Sequence, residues 1–237
     1  ARRRQRTRRS GPRLIAREPL DPQAPAVRNA AVLFDKDGTL LDDVPYNVDP
    51  ALMRFAPGAR EALACLHAHG FRLFVISNQS GVALGRFSYE ALAPMEARLR
   101  EMFETCGVPL AGAYWCPHHP EGTVARYAHR CACRKPQPGM LFRAANEHGV
   151  DLAASWFVGD ILDDVEAGTR AGCRTVLVDN GNETRWEPGP GRVPTLREPD
   201  LLRAASAIVR AHDASPNAEE RTAEAITPLP AARHGTA

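Results

Sequence analysis

The chain has 237 residues, 44% of them hydrophobic and 24% charged, which is ordinary globular material and not a fibrous or disordered composition. No apolar run approaches the ~18 residues of a membrane helix, so a soluble protein without a membrane partner is expected. The formal net charge of +2 is lopsided: nine arginines give residues 1–29 a net +7 and leave −5 on the remainder, which argues against a uniformly basic nucleic-acid-binding surface. Of the 30 basic residues only Lys36 and Lys135 are lysine. In a chain that uses arginine by default, each lysine invites a reason.

Residues 1–29, rich in Arg, Pro and small residues, show neither helical nor strand period and read as a disordered basic tail. No apolar stretch of 7–15 residues follows the arginines, so this is not expected to be a signal peptide. The folded unit is expected over residues 30–212, with a second disordered tail at 213–237.

Within that unit, Ala30–Phe34 is a short apolar run ending in charged residues and a glycine, as a buried parallel strand does. It runs into Asp35-Lys36-Asp37-Gly38-Thr39. If the chain stays extended there, Asp35 and Asp37 project to one side, where they repel unless a cation such as Mg²⁺ sits with them. A solvated acidic turn fits the same residues equally well. Helical spacing follows over 59–69 and closes on Gly70. The next strand, 71–76, ends in Ser77-Asn78-Gln79-Ser80-Gly81, hydroxyls, amides and backbone N–H groups suited to phosphate oxygens. From Ser88, a candidate N-cap, Leu92, Met95, Leu99 and Met102 recur at helical spacing toward Gly107, with Pro94 requiring a kink or a later start.

Three of the six cysteines, Cys65, Cys106 and Cys173, fall singly and read as free thiols. The others cluster with histidine: Cys116-Pro117-His118, then Cys131-Ala132-Cys133. Three thiolates and an imidazole make a closed tetrahedral set of the kind structural Zn²⁺ prefers, with His119 and His129 as alternative ligands. Such a cluster favours a reducing, cytoplasmic compartment. Arg134 and Lys135 follow the last ligand directly, so the metal would fix the loop that delivers them. A helix over 140–148, a strand at 155–158 ending in Gly159-Asp160 with Asp163 and Asp164 beyond, a helix to Ala171 and a strand at 175–178 complete the pattern. Strands alternating with helices predict an α/β fold: a three-layer, Rossmann-like parallel sheet with helices on both faces and ligands beyond the carboxyl ends of the strands.

The conjunction of Phe34 to Leu40, Ser77-Asn78, Lys135 and Gly159-Asp160 resembles the four motifs of the haloacid dehalogenase-type phosphatases. The resemblance implies that Asp35 attacks phosphorus to form an aspartyl-phosphate, that Asp37 serves as acid and then base, and that Ser77 and Lys135 neutralise phosphoryl oxygens. It further implies Mg²⁺ on Asp35, the Asp37 carbonyl and Asp160, with Asp164 in support. Cys116 to Gly122, Cys131 to Pro136 and Pro138 to Met140, with Ser77 to Ala83, are similar to the heptose 1,7-bisphosphate 7-phosphatase family within that group, from about Ala31 to Val178. That similarity implies structural zinc on Cys116, His118, Cys131 and Cys133, and substrate contacts from Asp43, Tyr46, Asn78, Ser80 and Arg134, the last expected to grip the distal phosphate with its guanidinium fork. Leu41, Ser77 and Ile161 depart from the family's pattern.

The motif intervals leave no room for a large cap domain, so loops must carry specificity. Removal of the 7-phosphate from a heptose bisphosphate by a monomeric enzyme is the leading expectation. Histidinol phosphate is the alternative substrate. A polynucleotide 3′-phosphatase is disfavoured by the −5 charge, and a non-enzymatic phospho-receiver domain by Asp37, which would promote turnover.

Overall fold

The computed structural model describes residues 29–214. The expected tails, 1–29 and 213–237, lie outside them apart from Asn29, Asp213 and Ala214. The four apolar runs form β1 (Ala31–Phe34), β2 (Arg72–Asn78), β4 (Trp156–Gly159) and β5 (Arg174–Val178). Two further strands, β3 (Leu110–Cys116) and β6 (Leu196–Glu198), complete a wholly parallel sheet in the order β3-β2-β1-β4-β5-β6.

Each central strand is apolar on both sides, so it needs helices on both faces. Val32, Phe34, Leu73, Val75, Trp156 and Val158 pack on one face. They meet α1 (Ala59–Ala68), α2 (Leu92–Glu104) and α5 (Leu201–Asp213). Leu33, Phe74, Ile76 and Phe157 pack on the other, against α3 (Gly139–His148) and α4 (Leu162–Ala171). The three-layer α/β arrangement expected from the sequence is therefore the one observed.

Helix ends follow local chemistry. Gly149 and Gly172 close α3 and α4 with φ of 65° and 85°, the left-handed conformation that suits glycine. The Asp200 carboxylate caps α5 by accepting the Arg203 N–H at 2.8 Å. Ser88 makes no side-chain cap hydrogen bond of the kind expected of it: a 3-10 turn over Tyr89–Ala91 intervenes, and the Ser88 carbonyl accepts from the Ala91 N–H at 3.1 Å. The α-helix starts at Leu92. Pro94 thus sits in the first turn, where an N–H has no intrahelical partner to lose.

The strand order reverses between β1 and β4, the two central neighbours. At such a switch point the connections leave on opposite faces and open a crevice beyond the strand ends. Gly159 keeps that crevice tight, since a Cβ there would lie 2.3 Å from the Asp164 Cβ. Leu99, wholly buried between α2 and the sheet, tests the packing: Leu99→Ala should lower unfolding free energy by about 2–5 kcal/mol. Urea denaturation measures this, and a loss below about 1 kcal/mol would contradict the core as described.

Candidate active site

Asp35 is the first residue past β1, and its N–H still donates to Val158 O on β4 at 2.9 Å. That bond holds it at the switch point, nearly buried. Beyond it the chain turns. Lys36 O accepts from both Leu40 and Leu41 N–H groups, at 3.1 and 2.8 Å, and Gly38 adopts a φ of 78°. A Cβ on Gly38 would lie 2.3 Å from Asp160 Oδ2, so both the turn and the close approach of the two loops require glycine here.

The turn separates the two aspartates. Asp35, Asp160 and Asp164 bring carboxylate oxygens within 4.8 Å of one another, and all three are buried. The Asp37 carboxylate stands outside that trio: Lys36 Nζ lies 2.5 Å from Oδ1, and Gln79 Nε2 donates to Oδ2 at 3.2 Å. Lys36, fully buried, therefore has a chemical reason that its position in the sequence does not reveal: its side chain returns to the Asp37 carboxylate.

Lys135 arrives from the opposite side on the loop before α3. Its ammonium ion-pairs with Asp35 and lies 2.6 Å from Asp164 Oδ1, the latter an ionic contact off the line of a hydrogen bond. Burial opposes its charge, but Asp164 and Asp35 outweigh burial and hold Lys135 protonated, well above the usual lysine range. Asn78 fixes the backbone that delivers it, accepting from the Lys135 N–H at 3.0 Å and donating to its carbonyl at 3.2 Å. The Asn78 side chain thus holds Lys135 in place. Ser77 Oγ accepts from Gln79 Nε2 at 3.0 Å, which ties the hydroxyl to the group that also holds Asp37.

Burial pushes the Asp37 carboxyl upward, and the charge of Asp35 adds to the shift while Lys36 and Gln79 oppose it. Asp160 is raised to about 6, chiefly by burial and then by Asp35, against hydrogen bonds from Asn182 and Thr39. Asp164 is likewise raised by burial, with Asp35 and Asp160 adding, against Lys135. Four carboxylates here face two ammonium groups. The buried oxygens of Asp35, Asp160 and Asp164, gathered within 4.8 Å, are a donor set that fits a hard divalent cation.

Several residues that complete this crevice carry no expectation from the sequence. Thr39 Oγ1 donates to Asp160 Oδ1 at 2.9 Å. Asn182 Nδ2 donates to Asp160 Oδ2 at 2.8 Å, and Asn180 Nδ2 to Gly38 O at 2.6 Å. The asparagines flank a glycine just past β5, where an Asn-Gly-Asn run is indistinguishable in sequence from any polar turn. Asp43 and Tyr46 lie on the exposed loop after the Gly38 turn, and Ser80 is half-buried just past β2.

Beside the crevice, the Cys116, Cys131 and Cys133 sulfurs lie 3.2–3.6 Å apart, with His118 Nδ1 3.6 Å from Cys116 and 3.4 Å from Cys133. These separations are too long for a disulfide. They are a few tenths of an ångström inside the edges, about 3.8 Å, of a tetrahedron with zinc–sulfur bonds of ~2.3 Å, so the four groups fit a metal ion after slight expansion. Hydrogen bonds from Cys116 above all push the Cys133 thiol down to about 5, while Cys116 is raised. The Arg134 N–H donates to Cys131 Sγ at 3.3 Å, and Arg134 Nη1 to His118 O at 3.4 Å, so the cluster grips the loop one residue before Lys135.

Comparisons with known proteins agree with this geometry. A family model described as HAD-hydrolase-like matches residues 132–203. The chain is 41% identical to the D-glycero-β-D-manno-heptose-1,7-bisphosphate 7-phosphatase of Yersinia pestis over 66% of its own length and 84% of that protein's. It is 36% identical to the same-named protein of Pseudomonas aeruginosa over 76% and 97%. The D,D-heptose 1,7-bisphosphate phosphatase of B. bronchiseptica, solved with magnesium and phosphate, superposes with a TM-score of 0.63 at 29% identity, covering 77% of this chain and 99% of that one. With the sheet, the acidic crevice and the Cys–His cluster all in place, the chain belongs to the D-glycero-β-D-manno-heptose-1,7-bisphosphate 7-phosphatase family of HAD-like phosphatases.

Proposed function

We propose that the enzyme removes the 7-phosphate of D-glycero-β-D-manno-heptose 1,7-bisphosphate through an aspartyl-phosphate on Asp35. One observation carries the chemistry: a buried Asp35 clasped by Lys135, with the burial-raised carboxyl of Asp37 two residues on. The substrate is taken from the name of the relatives that this chain matches at 36–41% identity.

Asp35 attacks phosphorus in line with the sugar oxygen, the P–O bond to the sugar breaks, and the Asp37 carboxyl gives its proton to the departing oxygen. Asp37, now a carboxylate, takes a proton from the water that attacks the phosphorus, which returns Asp35 and releases inorganic phosphate. Splitting the displacement in this way replaces one difficult step with two easier ones. The upward shift of Asp37 suits a group that must begin as an acid. Lys135 and the Ser77 hydroxyl set positive charge and a donor against the equatorial oxygens, and Asn78 and Ser80 line the same edge. Asp35, Asp160 and the Asp37 carbonyl would hold Mg²⁺, which when bound neutralises phosphoryl charge. Asp164 positions Lys135 and does not meet substrate. Asp43, Tyr46 and Arg134 border the entrance used by the sugar.

Zn²⁺ on Cys116, His118, Cys131 and Cys133 has a structural task in this reading. The set is closed, leaving no position for a reactive water, and it anchors the loop that carries Arg134 and Lys135. Free thiolates in such a set require a reducing compartment, which suits a cytoplasmic enzyme.

Turnover assays, metal removal and hydrogen exchange test these roles. Phosphate release should be undetectable for Asp35→Asn and about 10²–10⁴-fold slower for Asp37→Asn. With wild-type protein the β-heptose bisphosphate should exceed its α anomer, histidinol phosphate and a 3′-phosphorylated oligonucleotide; unchanged turnover in either variant, or a preference for another substrate, overturns the reading. Chelation that strips the Cys–His cluster, verified by metal analysis, should cut turnover by about 10²-fold, because a misplacement of about 1 Å at Lys135 is costly. Hydrogen exchange should show lost protection over residues 116–139; a zinc-free protein with normal turnover contradicts the structural role.

A further inference from the structure

We propose that Arg86, laid across the ring of Tyr46, is a specificity residue that binds the phosphate the enzyme does not cleave. The proposal rests on the bisphosphate reading above and deepens it.

The two residues come from adjacent strand ends. Tyr46 lies on the loop that follows β1 and the aspartates, and Arg86 on the loop that follows β2 and Ser77. The Arg86 Cζ stands 5.6 Å from the Tyr46 ring centroid, so the pair bridges the two loops that carry the reacting carboxylates and the hydroxyl. Tyr46 is 51% exposed, and its φ of 56° is the single positive value among the described residues other than glycine. A bulky residue in that conformation must be held there by its surroundings. The turn closed by the Asn47 N–H on Val44 O at 3.0 Å and the guanidinium face supply that hold.

Arg86 has a firm base and a free head. Its N–H donates to Gly81 O at 2.8 Å, and Leu84 N–H to Ser80 O at 3.0 Å. Phe87 packs over Gly81 so closely that a Cβ there would meet its ring at 2.1 Å. From the other side, the Thr123 and Val124 N–H groups donate to Ala83 O at 2.8 and 2.9 Å, which pins this loop to the Cys–His loop. The guanidinium itself is exposed, and among the described residues no carboxylate lies within ion-pair distance of it. Arg98, Arg100, Arg143, Arg170, Arg192 and Arg197 all have such a partner. Stacking on an aromatic face uses the plane of a guanidinium and leaves its N–H edge free, the edge that matches two oxygens of a phosphate. Arg134, whose Nη1 donates to His118 O at 3.4 Å, keeps further N–H donors for the same phosphate, so Arg86 would act beside it.

A substrate with two phosphates has one to cleave beside Asp35 and one to park. A rigidly based, unpaired guanidinium on the neighbouring loop suits the second. The test compares KM for the heptose 1,7-bisphosphate and for the heptose 7-phosphate, which lacks the second group, in wild type and Arg86→Gln. Loss of a charge-assisted contact should raise KM for the bisphosphate about tenfold or more, while KM for the monophosphate moves less than about twofold. Equal changes for both substrates, or no change for either, overturn the proposal alone, provided wild type favours the bisphosphate. A wild-type enzyme without that preference removes the bisphosphate reading and this proposal with it.

Discussion

At the carboxyl ends of β1 and β4, Asp35, Asp37, Asp160 and Asp164 crowd around Lys36 and Lys135 and nothing else that is cationic among the described residues. Charges taken out of water cost several kcal/mol each unless partners meet them closely, and the surrounding fold answers that demand group by group. Gln79 donates to Asp37, Thr39 and Asn182 to Asp160, and Lys135 spans Asp35 and Asp164. What remains is the close approach of the Asp35, Asp160 and Asp164 oxygens, within 4.8 Å of one another, which a divalent cation would relieve.

Meeting those charges needs backbone from five places in the chain, and small residues permit the close approach. Gly38 lets the first loop touch Asp160, and Gly159 lets α4 begin against β4 with Asp164 directly behind it. The Cys–His cluster and Asn78 act together from the far side, one fixing Arg134 and the other the Lys135 backbone. Lys135 therefore enters on a segment held at both neighbouring points, which is how a long side chain is kept in a single rotamer.

The frame of the candidate site is legible in the sequence because it sits where apolar runs stop abruptly. Asp35 and Asp160 follow directly on buried strands and Ser77 is the next-to-last residue of one, at points where a polar side chain adds nothing to the core. The spacing of Cys116, His118, Cys131 and Cys133, which the fold brings into one cluster, is similarly informative. Less visible is β3, an edge strand whose residues alternate between buried and half-buried and include Ala and Gly, poor strand formers; the period-two series Leu110, Gly112, Tyr114 and Cys116 is its signal. The three residues of β6 carry none. Gln79, Thr39, Asn180 and Asn182 stay hidden for a different reason: their importance lies in which oxygen each faces, and that is decided by packing between loops far apart in sequence. Lys36 shows the same limit, since alternation along a strand does not foresee a side chain that folds back onto its neighbour.

The claim that the buried carboxylate cluster exists to hold a divalent cation is open to direct measurement. In the metal-free protein, Asp160 is raised to about 6, so it gains a proton as pH falls through that value and must lose it when a cation binds. Calorimetric titration of magnesium should show affinity strengthening between about pH 5 and 7, with protons released in buffers of different ionisation enthalpy, and Asp160→Asn should remove both the proton release and most of the affinity. Magnesium binding that is independent of pH, releases no protons and survives Asp160→Asn would contradict it.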